Sequence, residues 1–366
     1  MNTLKKLEVR GAPSYYACHE GSFDDLENLL LLNSINHCLV IHGEQSWKAA
    51  SSYFPNMQDV KLTFVPYHGE CSLREVQRIS TIANDTNIDA IIGIGGGKVL
   101  DLAKAVANET NKEAILIPTL ASTCAAWTPL SVFYTEEGEF THYTIFPKST
   151  LIVLIEPRII LHSPIKYVRA GIADTLAKWY EADVLVRDLQ DLPLPVKIAH
   201  QSARLCQIVL LEHSQTALNA MEAKTSSPAF LQVIETIIVA GGMVGGFGDR
   251  YGRIAAAHSV HNGLTVAHET HHLLHGEKVA YGILVQLVLE ENLEEVASLL
   301  PFYRALELPI QLRDLELNRD NLEKLKAIAE RTVASSESIH YLEKDFTSDD
   351  ILTAILSLET FVDPLV

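Results

Sequence analysis

The sequence predicts two domains, an N-terminal Rossmann-like α/β domain over residues 1–162 and an all-α domain over residues 163–366. Three observations lead to this prediction. The chain has 366 residues, and at roughly 150 residues per domain this length favours about two domains. Short apolar runs alternate with amphipathic stretches through the first part of the chain. From Ser163 onwards the apolar residues follow a helical period, with almost no strand signal.

Four apolar runs in the first domain predict strands that are buried on both faces. They are rich in Ile, Val and Leu, as expected where helices cover both sides of a parallel sheet. The runs are HCLVIHG (37–43), IDAIIGIGGG (88–97), AILIPT (114–119) and LIVLIEP (151–157). Helix-like stretches lie between them, at 22–32, 72–85 and 99–110. This βαβ alternation predicts a doubly wound sheet.

Two further elements follow from local patterns. LSVFYTEEGEFTHYTIF (130–146) alternates around Glu137-Gly138, which predicts a β-hairpin. The domain boundary is predicted near residue 162, because Ser163 can cap a helix and Pro164 fits its first position. The stretch that begins there, SPIKYVRAGIADTLAKWYEADVLVRD, predicts one long helix or a pair of helices.

The composition argues against two classes of partner. The chain carries 29 Lys+Arg against 46 Asp+Glu, a net charge of −17, and such a surface repels nucleic acid and anionic membranes. Five cysteines without a C-x-x-C pair are typical of a reducing, cytoplasmic compartment. The N-terminus lacks a signal-peptide stretch, and no segment approaches roughly 20 uninterrupted apolar residues. We therefore expect a cytoplasmic protein with no membrane partner.

A glycine-rich loop is the strongest local signal for a ligand. In IIGIGGGKVLDLAKAVA (91–107) a strand leads into Gly95, Gly96 and Gly97, and a helix begins at once. Backbone N–H groups at such a helix start can hold a pyrophosphate, whose approach side chains would block. Lys98 could contact a phosphate, and Asp101 could bond the loop or a ligand. The spacing matches neither standard nucleotide fingerprint, so a tight turn without a ligand is the alternative.

Two segments offer isolated metal ligands. Asp174 lies in RAGIADTLAKWYEA, and His258 and His261 lie three residues apart in AAAHSVHNGLT. Each has a structural alternative. Asp174 and Lys178 could form only an i,i+4 helix pair, and either histidine could be buried in the core with its hydrogen bonds satisfied.

A third segment, AHETHHLLHG (267–276), matches the zinc-protease pattern H-E-x-x-H at His268, Glu269 and His272. A protease site needs a helix through these residues, with Glu269 as the base. The preceding NGLTVAHET predicts a loop instead, and a Rossmann-like domain with a glycine loop has no counterpart in that class. We therefore interpret the match as chance.

Four long segments resemble the glycerol dehydrogenase group of the iron-containing alcohol dehydrogenases, in the same order and over nearly the whole chain. They are GIGGGKVLDLAKAVA, AGIADTLAKWYEA, AAAHSVHNGLT and LLHGEKVAYGILVQLVLE. The resemblance implies a nucleotide-binding α/β domain followed by an all-helical domain, an architecture shared with dehydroquinate synthase. It also implies an NAD(P)-dependent dehydrogenase acting on CH–OH groups, with a small-molecule substrate and a homo-oligomeric assembly.

The same resemblance implies a ligand set for a divalent metal. In the family one aspartate and two histidines hold the metal, and by motif these are Asp174, His258 and His275. Such a set leaves open positions for catalysis and serves Zn²⁺ or Fe²⁺. The metal polarises a carbonyl and the nicotinamide carries the hydride. His261, one turn from His258, is predicted as a catalytic residue that supports the ligands or relays a proton; packing or capping is the alternative.

The segment PTLASTCAAWTPLSVFY (118–134) resembles the family's cofactor-contact segment. It implies five residues on the nicotinamide side: Thr119, Ser122, Thr128, Leu130 and Tyr134. Glycerol dehydrogenases place an aspartate after the Ser-Thr pair to bond the polyol, whereas this chain has Cys124. A thiol cannot hold two hydroxyls as a carboxylate does, and it does not repel a substrate carboxylate. The alternative is that Cys124 is a small buried filler.

Three segments resemble the hydroxycarboxylate dehydrogenase branch, which reduces 2-oxo acids to 2-hydroxy acids with NADPH. They are TCAAWTPLSV, AGIADTLAKWYEA and ESIHYL (337–342). A small 2-oxo acid, or its 2-hydroxy acid, is therefore the substrate that we expect. Three basic residues near the metal motifs are candidates for binding the substrate carboxylate: Lys178, Arg250 and Arg253.

The nucleotide preference depends on Gly43, in LVIHGEQSWKAA. NAD-using relatives place an aspartate there, which bonds the ribose 2′-OH. Its absence removes the repulsion against a 2′-phosphate, although Glu44 follows and Lys48 is the nearest cation. Both NADP and NAD are allowed, and we favour NADPH.

Three other functions are considered. A glycerol or polyol dehydrogenase using NAD keeps the family and changes the substrate, but Cys124 argues against it. A lyase like dehydroquinate synthase shares the architecture and uses NAD transiently, but its lysine- and glutamate-bearing motifs are not evident here. A non-catalytic binding protein is disfavoured by the intact metal-ligand positions.

Overall fold

A six-stranded sheet forms the framework of the N-terminal half. The structure, a computed structural model, describes residues 7–252 and 254–365. The strand order is β1-β8-β5-β4-β2-β3, and every neighbouring pair is parallel. The strands are β1 (Tyr15–Cys18), β2 (His37–His42), β3 (Lys61–Pro66), β4 (Ala90–Gly95), β5 (Glu113–Pro118) and β8 (Ile152–Ile155).

Helices pack on both faces of this sheet, so its central strands are buried on both sides. All six residues of β4 are buried, as the unbroken apolar run predicted. The helices of this half are α1 (Leu26–Leu32), α2 (Glu44–Ala50), α3 (Leu73–Asp85), α4 (Gly97–Glu109) and α5 (Pro157–Leu161). The Rossmann-like, doubly wound α/β prediction is therefore confirmed.

The strand order reverses between β2 and β4. The chain runs outward from β2 to β3, then returns to place β4 on the other side of β2. In open parallel sheets the carboxyl ends of the two strands that flank such a switch point form the ligand crevice. Here Gly43 follows β2, and Gly95, Gly96 and Gly97 lie at the junction of β4 and α4. The topology therefore brings the two predicted nucleotide segments to one edge of the sheet.

The predicted hairpin is present as β6 (Leu130–Tyr134) and β7 (Phe140–Ile145), an antiparallel pair with an irregularity between Phe133 and Tyr134. Two strands were missed, β1 and β3. Both lie at the edges of the sheet, and β1 is only four residues long. A short edge strand with partly exposed residues lacks the continuous apolar run on which the strand prediction depended.

Helices make up the rest of the described chain, as predicted. The segment after Ser163 forms one long helix rather than a pair. The helices are α6 (Ile165–Val186), α7 (Leu194–Glu222), α8 (Pro228–Glu235), α9 (Gly241–Gly248), α10 (Ala256–Leu264), α11 (His275–Leu289), α12 (Leu293–Ala305), α13 (Leu322–Thr332) and α14 (Ser348–Val362). Helix α6 packs extensively against α7 and α11, and α10 packs against α11.

One helical stretch, Pro228–Gly252, is long and apolar enough to cross a membrane by length and composition. It joins α8, a π-helical turn at Thr236–Ala240 and α9. No other stretch of residues 7–252 and 254–365 meets that criterion. Within Pro228–Gly252, 67% of the most apolar 18-residue segment is buried inside the protein. Such burial is typical of a core helix.

Candidate active site

Three helices place Asp174, His258 and His275 together. Asp174 lies in the middle of α6, His258 lies in the first turn of α10, and His275 begins α11. The Nε2 atoms of His258 and His275 lie 3.3 and 3.1 Å from Asp174 Oδ1. Their ligand atoms all lie within 4.8 Å of one another. Among the described residues this is the one group of three or more such side chains spaced to hold a metal ion.

Glu181 contacts this cluster at His258, through the ring nitrogen that does not face Asp174. Its Oε2 lies 2.6 Å from His258 Nδ1, and its Oε1 accepts hydrogen bonds from the backbone N–H groups of Ala255 and His258. Glu181 is buried, so its contacts determine which ring nitrogen of His258 faces Asp174. This residue was not predicted from the sequence. The available signal was its spacing, since Glu181 follows Asp174 by two helical turns and shares its face of α6.

His261 supports the other histidine. Its Nε2 lies 3.0 Å from His275 Nδ1, and its Nδ1 lies 2.9 Å from Asn262 Oδ1. Asn262 in turn donates to Glu337, whose second oxygen accepts from Arg331. One tautomer of each ring satisfies all these contacts, with His275 Nδ1–H donating to His261 and His261 Nδ1–H donating to Asn262. Both ring nitrogens of His261 are therefore engaged.

The ionisation of the cluster follows from these contacts. Burial alone would raise the pKa of Asp174, but Lys178 and the two histidines hold it well below its usual range. Burial opposes the charge of His258, but the carboxylates of Glu181 and Asp174 prevail and raise its pKa to about 9. Removal from water and the neighbouring cations lower the pKa of His275. The side chain of His275 is nevertheless 44% exposed, so the site opens to solvent there.

Two glycines allow the site to form at close range. A Cβ atom on Gly276 would lie 1.9 Å from the carbonyl oxygen of Ala170, so the start of α11 sits directly on α6. A Cβ atom on Gly171 would lie 2.2 Å from the carbonyl oxygen of Ala121. The first contact positions His275 against Asp174. The second brings the predicted cofactor segment against the same helix.

The predicted cofactor segment lies between the glycine loop and α6. Thr119 N–H donates to Gly95 O at 3.0 Å, and an ideal Cβ on Gly97 would lie 3.4 Å from Thr123 Oγ1. Thr119 and Thr128 are buried, whereas Ser122, Leu130 and Tyr134 are partly exposed. A Cβ atom on Gly95 would collide with Val99 at 2.6 Å, so glycine permits the close approach of β4 and α4.

Asp101 and Lys104 form a buried pair that shapes this segment. Lys104 Nζ lies 2.9 Å from Asp101 Oδ1 and donates to the carbonyl oxygens of Ala125, Thr128 and Leu130. Asp101 Oδ2 accepts from Val132 N–H at 3.1 Å. The carboxylate therefore bonds the hairpin and Lys104, both within the protein. Lys104 was not identified from the sequence.

Lys98 is exposed at the start of α4, where it pairs with Glu70 and lies 5.0 Å from the ring centroid of Tyr134. Gly43 begins the turn into α2. Its N–H donates to Ser46 Oγ at 3.0 Å, and Ser46 Oγ donates to Ile94 O at 2.8 Å. Ser46 thus ties the end of β2 to the end of β4. The exposed Lys48 lies on the same helix.

Cys124 lies beside the metal-ligand helix. An ideal Cβ atom on Gly241 would lie 3.3 Å from Thr175 Cγ2 and 3.7 Å from Cys124 Cβ. Cys124 and Thr175 of α6 therefore both lie next to Gly241. Burial raises the pKa of the Cys124 thiol, which therefore stays neutral at physiological pH. Of the charged groups that act on this thiol, Lys178 lowers its pKa and Asp174 raises it, and both effects are smaller than that of burial.

The protease-like run has a different structure from a zinc-protease helix. His268–Thr270 is a short 3₁₀ turn, and α11 begins only at His275. Glu269 pairs with Lys324, and His272 lies 3.6 Å from Glu316. Interpreting the match as chance is consistent with these contacts.

Three basic residues were the candidates for binding the substrate carboxylate, and their surroundings differ. The Arg250 guanidinium donates to Tyr251 Oη at 2.8 Å and packs over that ring. Arg253 lies outside the described residues. Lys178 lies one turn beyond Asp174 on α6.

Comparison with known proteins places this chain in a class. The profile of the family described as iron-containing alcohol dehydrogenase matches residues 13–155. Hydroxycarboxylate dehydrogenase A of Escherichia coli (strain K12) is 41% identical over 356 residues, 97% of this chain and 98% of that protein. A glycerol dehydrogenase of Pseudomonas putida is 40% identical over 302 residues, 81% of each chain.

A solved structure supports the same relationship. The crystal structure of a probable glycerol dehydrogenase from Sinorhizobium meliloti 1021 superposes with a TM-score of 0.88 at 30% identity, covering 98% of this chain and 100% of that one. The fold is thus that of a two-part, nicotinamide-dependent dehydrogenase. The chain belongs to the iron-containing alcohol dehydrogenase family. It is an NAD(P)-dependent oxidoreductase that acts on CH–OH groups, as the resemblance implied.

Proposed function

We propose that this protein transfers a hydride between NADPH and a small 2-oxo acid, in a reaction that depends on one divalent metal. Residues 1–162 would bind the nucleotide, and residues 163–366 would supply the metal ligands. The observation that carries the substrate class is the neutral Cys124 beside Asp174 and α6. The 41% identity to a protein named hydroxycarboxylate dehydrogenase A supports it.

The three candidate ligands fit a divalent metal of the family. One carboxylate and two imidazole nitrogens converge within 4.8 Å, and such a set suits Zn²⁺ or Fe²⁺ while leaving positions open. The partners of both histidines leave their Nε2 atoms facing Asp174. When bound, the metal would polarise the substrate carbonyl.

The residues of this chain then have distinct tasks in the reduction. The glycine loop and the backbone N–H groups at the start of α4 would hold the pyrophosphate. The segment from Thr119 to Tyr134 would orient the nicotinamide, which would supply the hydride for reduction of the substrate carbonyl group. We assign His261 a positioning role on His275, because both of its ring nitrogens are already engaged. Asp101 acts through the hairpin and Lys104.

Pocket charge is the physical basis of the substrate assignment. A carboxylate at position 124 would repel a substrate carboxylate at short range, whereas the half-buried thiol carries no charge there. The alternative function is a glycerol or polyol dehydrogenase, which the P. putida relative favours. That function needs hydroxyl-binding acceptors, and a thiol is a weak one.

The test follows oxidation of NADPH and of NADH by metal-loaded protein. The substrates are 2-oxobutanoate, 2-oxoglutarate and dihydroxyacetone. We expect turnover with a 2-oxo acid, and turnover of dihydroxyacetone alone would contradict the proposal. Cys124→Asp should lower kcat/KM for the 2-oxo acid and raise it for dihydroxyacetone. The matched neutral variant Cys124→Ser should retain the preference of the parent protein.

A further inference from the structure

Four lysines near the candidate active site differ in their partners. Lys98 pairs with Glu70, Lys104 is held by three carbonyl oxygens and Asp101, and Lys278 Nζ donates to Thr270 O at 3.4 Å. Lys178 has no hydrogen bond or ion pair within 4.0 Å among residues 7–252 and 254–365. It is therefore the one of these four lysines whose ammonium remains available to bind a ligand.

The position of Lys178 follows from the helix that carries it. Asp174 and Lys178 are four residues apart on α6, so their side chains lie on one face of that helix. Cys124 meets the same region of α6, because its Cβ and Thr175 Cγ2 both lie next to Gly241. Lys178 is half-buried. Its ammonium is close enough to Asp174 and to Cys124 for both to act on its charge, and solvent can still reach the side chain.

The ammonium keeps its charge in this position. Burial opposes that charge, but the carboxylates of Asp174 and Glu181 act in the opposite direction and raise the pKa of Lys178. Neither carboxylate is free to pair with it closely, since Asp174 faces two histidines and Glu181 is engaged by His258 and two backbone N–H groups. A half-buried charge without a hydrogen-bonded partner is costly, and an incoming anion would relieve that cost.

We propose that Lys178 binds the carboxylate of the 2-oxo acid substrate and so determines specificity for acids over neutral ketones. This inference rests on the proposed function. A charge-assisted hydrogen bond between ammonium and carboxylate is among the stronger polar contacts in proteins. Cys124 contributes by being neutral, because an aspartate at that position would pair with Lys178 and compete with the substrate. Acid specificity thus comes from two positions, a cation at 178 and a neutral group at 124.

The rival interpretation is that Lys178 serves only Asp174, by keeping that carboxylate ionised. The two interpretations differ for a substrate that lacks a carboxylate. The suitable pair is 2-oxobutanoate and 1-hydroxy-2-butanone, in which a hydroxymethyl group replaces the carboxylate. A residue that acts only through Asp174 affects both substrates equally and weakens metal binding.

The experiment compares Lys178→Met and Lys178→Arg with the parent protein, all metal-loaded. Lys166→Met is the matched control, because Lys166 is exposed on the same helix. We expect Lys178→Met to lower kcat/KM for 2-oxobutanoate about 10- to 100-fold relative to 1-hydroxy-2-butanone. The loss should fall mainly on KM, and Lys178→Arg should restore part of it. Circular dichroism establishes that each variant is folded, and the metal content of each is measured after the same loading.

Three outcomes separate the hypotheses. Equal losses on both substrates, with reduced metal content, would overturn the inference in favour of the rival interpretation. Unchanged discrimination in Lys178→Met would also overturn it, while turnover of 2-oxobutanoate by the parent protein would leave the proposed function standing. Turnover of 1-hydroxy-2-butanone alone by the parent protein would remove the proposed function, and with it the inference.

Discussion

At the level of single residues, the candidate site depends on side chains that hold other side chains. Glu181 and His261 each contact the outer ring nitrogen of one histidine, and together they present two Nε2 atoms to Asp174. Partners of this kind raise the basicity of metal-binding imidazoles and fix their orientation. The spacing from His258 pointed to His261 in the sequence, whereas Glu181 was identified only from its contacts.

Gly43 gives the first prediction. A Cβ there would lie 3.4 Å from Ser46 Oγ and 3.8 Å from a Tyr67 ring carbon, so Gly43→Asp can be accommodated. A carboxylate at this position would repel a 2′-phosphate and could accept from a ribose 2′-OH. We expect the ratio of kcat/KM for NADPH to that for NADH to fall about tenfold or more.

Gly43→Ala is the control for that substitution, since it adds the Cβ without the charge. Steady-state kinetics with both nucleotides checks the prediction. Equal ratios in Gly43→Asp and Gly43→Ala would show that charge at this position does not select the nucleotide.

At the level of elements, α6 organises the site. It carries Asp174, Lys178 and Glu181 within eight residues and meets both α11 and the cofactor segment at glycines. Buried residues at Ala173, Asp174, Ala177 and Glu181 follow the helical period. The helix therefore has a face made partly of charged groups, of which Asp174 and Glu181 are paired inside the protein.

The contact between α11 and α6 gives the second prediction. Gly276→Ala would place a Cβ 1.9 Å from Ala170 O, so α11 has to move away from α6 and carry His275 with it. Overpacking of this kind costs about 1–3 kcal/mol, and we expect a lower free energy of unfolding together with weaker metal binding. Urea unfolding and chelator competition measure the two effects.

Gly43→Ala again provides a comparison, because its Cβ makes only ordinary contacts. Its free energy of unfolding should stay close to that of the parent protein. A Gly276→Ala variant with parental stability and parental metal affinity would show that the close approach does not constrain the site.

At the level of the whole molecule, the candidate ligands come from three helices separated by up to 101 residues of chain. A metal bound to all three would connect them in the folded state only, which stabilises that state by mass action. At a free-ion concentration 100 times the Kd, the gain is about 2.7 kcal/mol. We expect chelation to lower the Tm and re-addition of the metal to restore it.

His275→Ala is the informative variant for that prediction, since it removes one ligand at the most exposed corner of the site. Its Tm should no longer respond to chelator over the same concentration range. An unaltered response in this variant would mean that the metal binds elsewhere.

The pH dependence of metal binding follows from His258. Its pKa is about 9 in the folded protein against 6.5 ordinarily. The protonated imidazolium therefore stabilises the metal-free fold below about pH 6.5, and this contribution disappears as the pH rises through 9. Because an imidazole must be neutral to bind a metal, binding releases this proton, and the apparent affinity should rise about tenfold per pH unit from 6.5 towards 9.

Chelator competition at pH 7, 8 and 9 measures this slope. Glu181→Gln is the control, because removing that carboxylate lowers the pKa of His258 and should flatten the profile. A slope near zero in the parent protein would contradict the assignment of His258 as a ligand that is protonated before the metal binds.

The division at residue 162 and the homo-oligomeric assembly stay predictions.

Much of the fold could be predicted because its signals are local. Unbroken apolar runs marked β2, β4, β5 and β8, and the glycine loop marked the turn into α4. The edge strands β1 and β3 lacked that signal, since most of their residues are partly or fully exposed and form no continuous apolar run. For the site, motif resemblance identified Asp174, His258 and His275, and the structure brings these three together.

The sequence by itself determined the α/β-then-helical architecture, the family and the residue types available for chemistry, because periodicity and motifs are properties of neighbouring residues. Only the tertiary structure decided which groups meet. It paired Glu181 with His258, engaged both nitrogens of His261 and buried Asp101 against Lys104. Within residues 7–252 and 254–365 it gave Lys178 no hydrogen bond or ion pair. These contacts join residues that are distant in the chain, or depend on what packs around them. They follow from how helices and loops pack at close range, which no local pattern encodes.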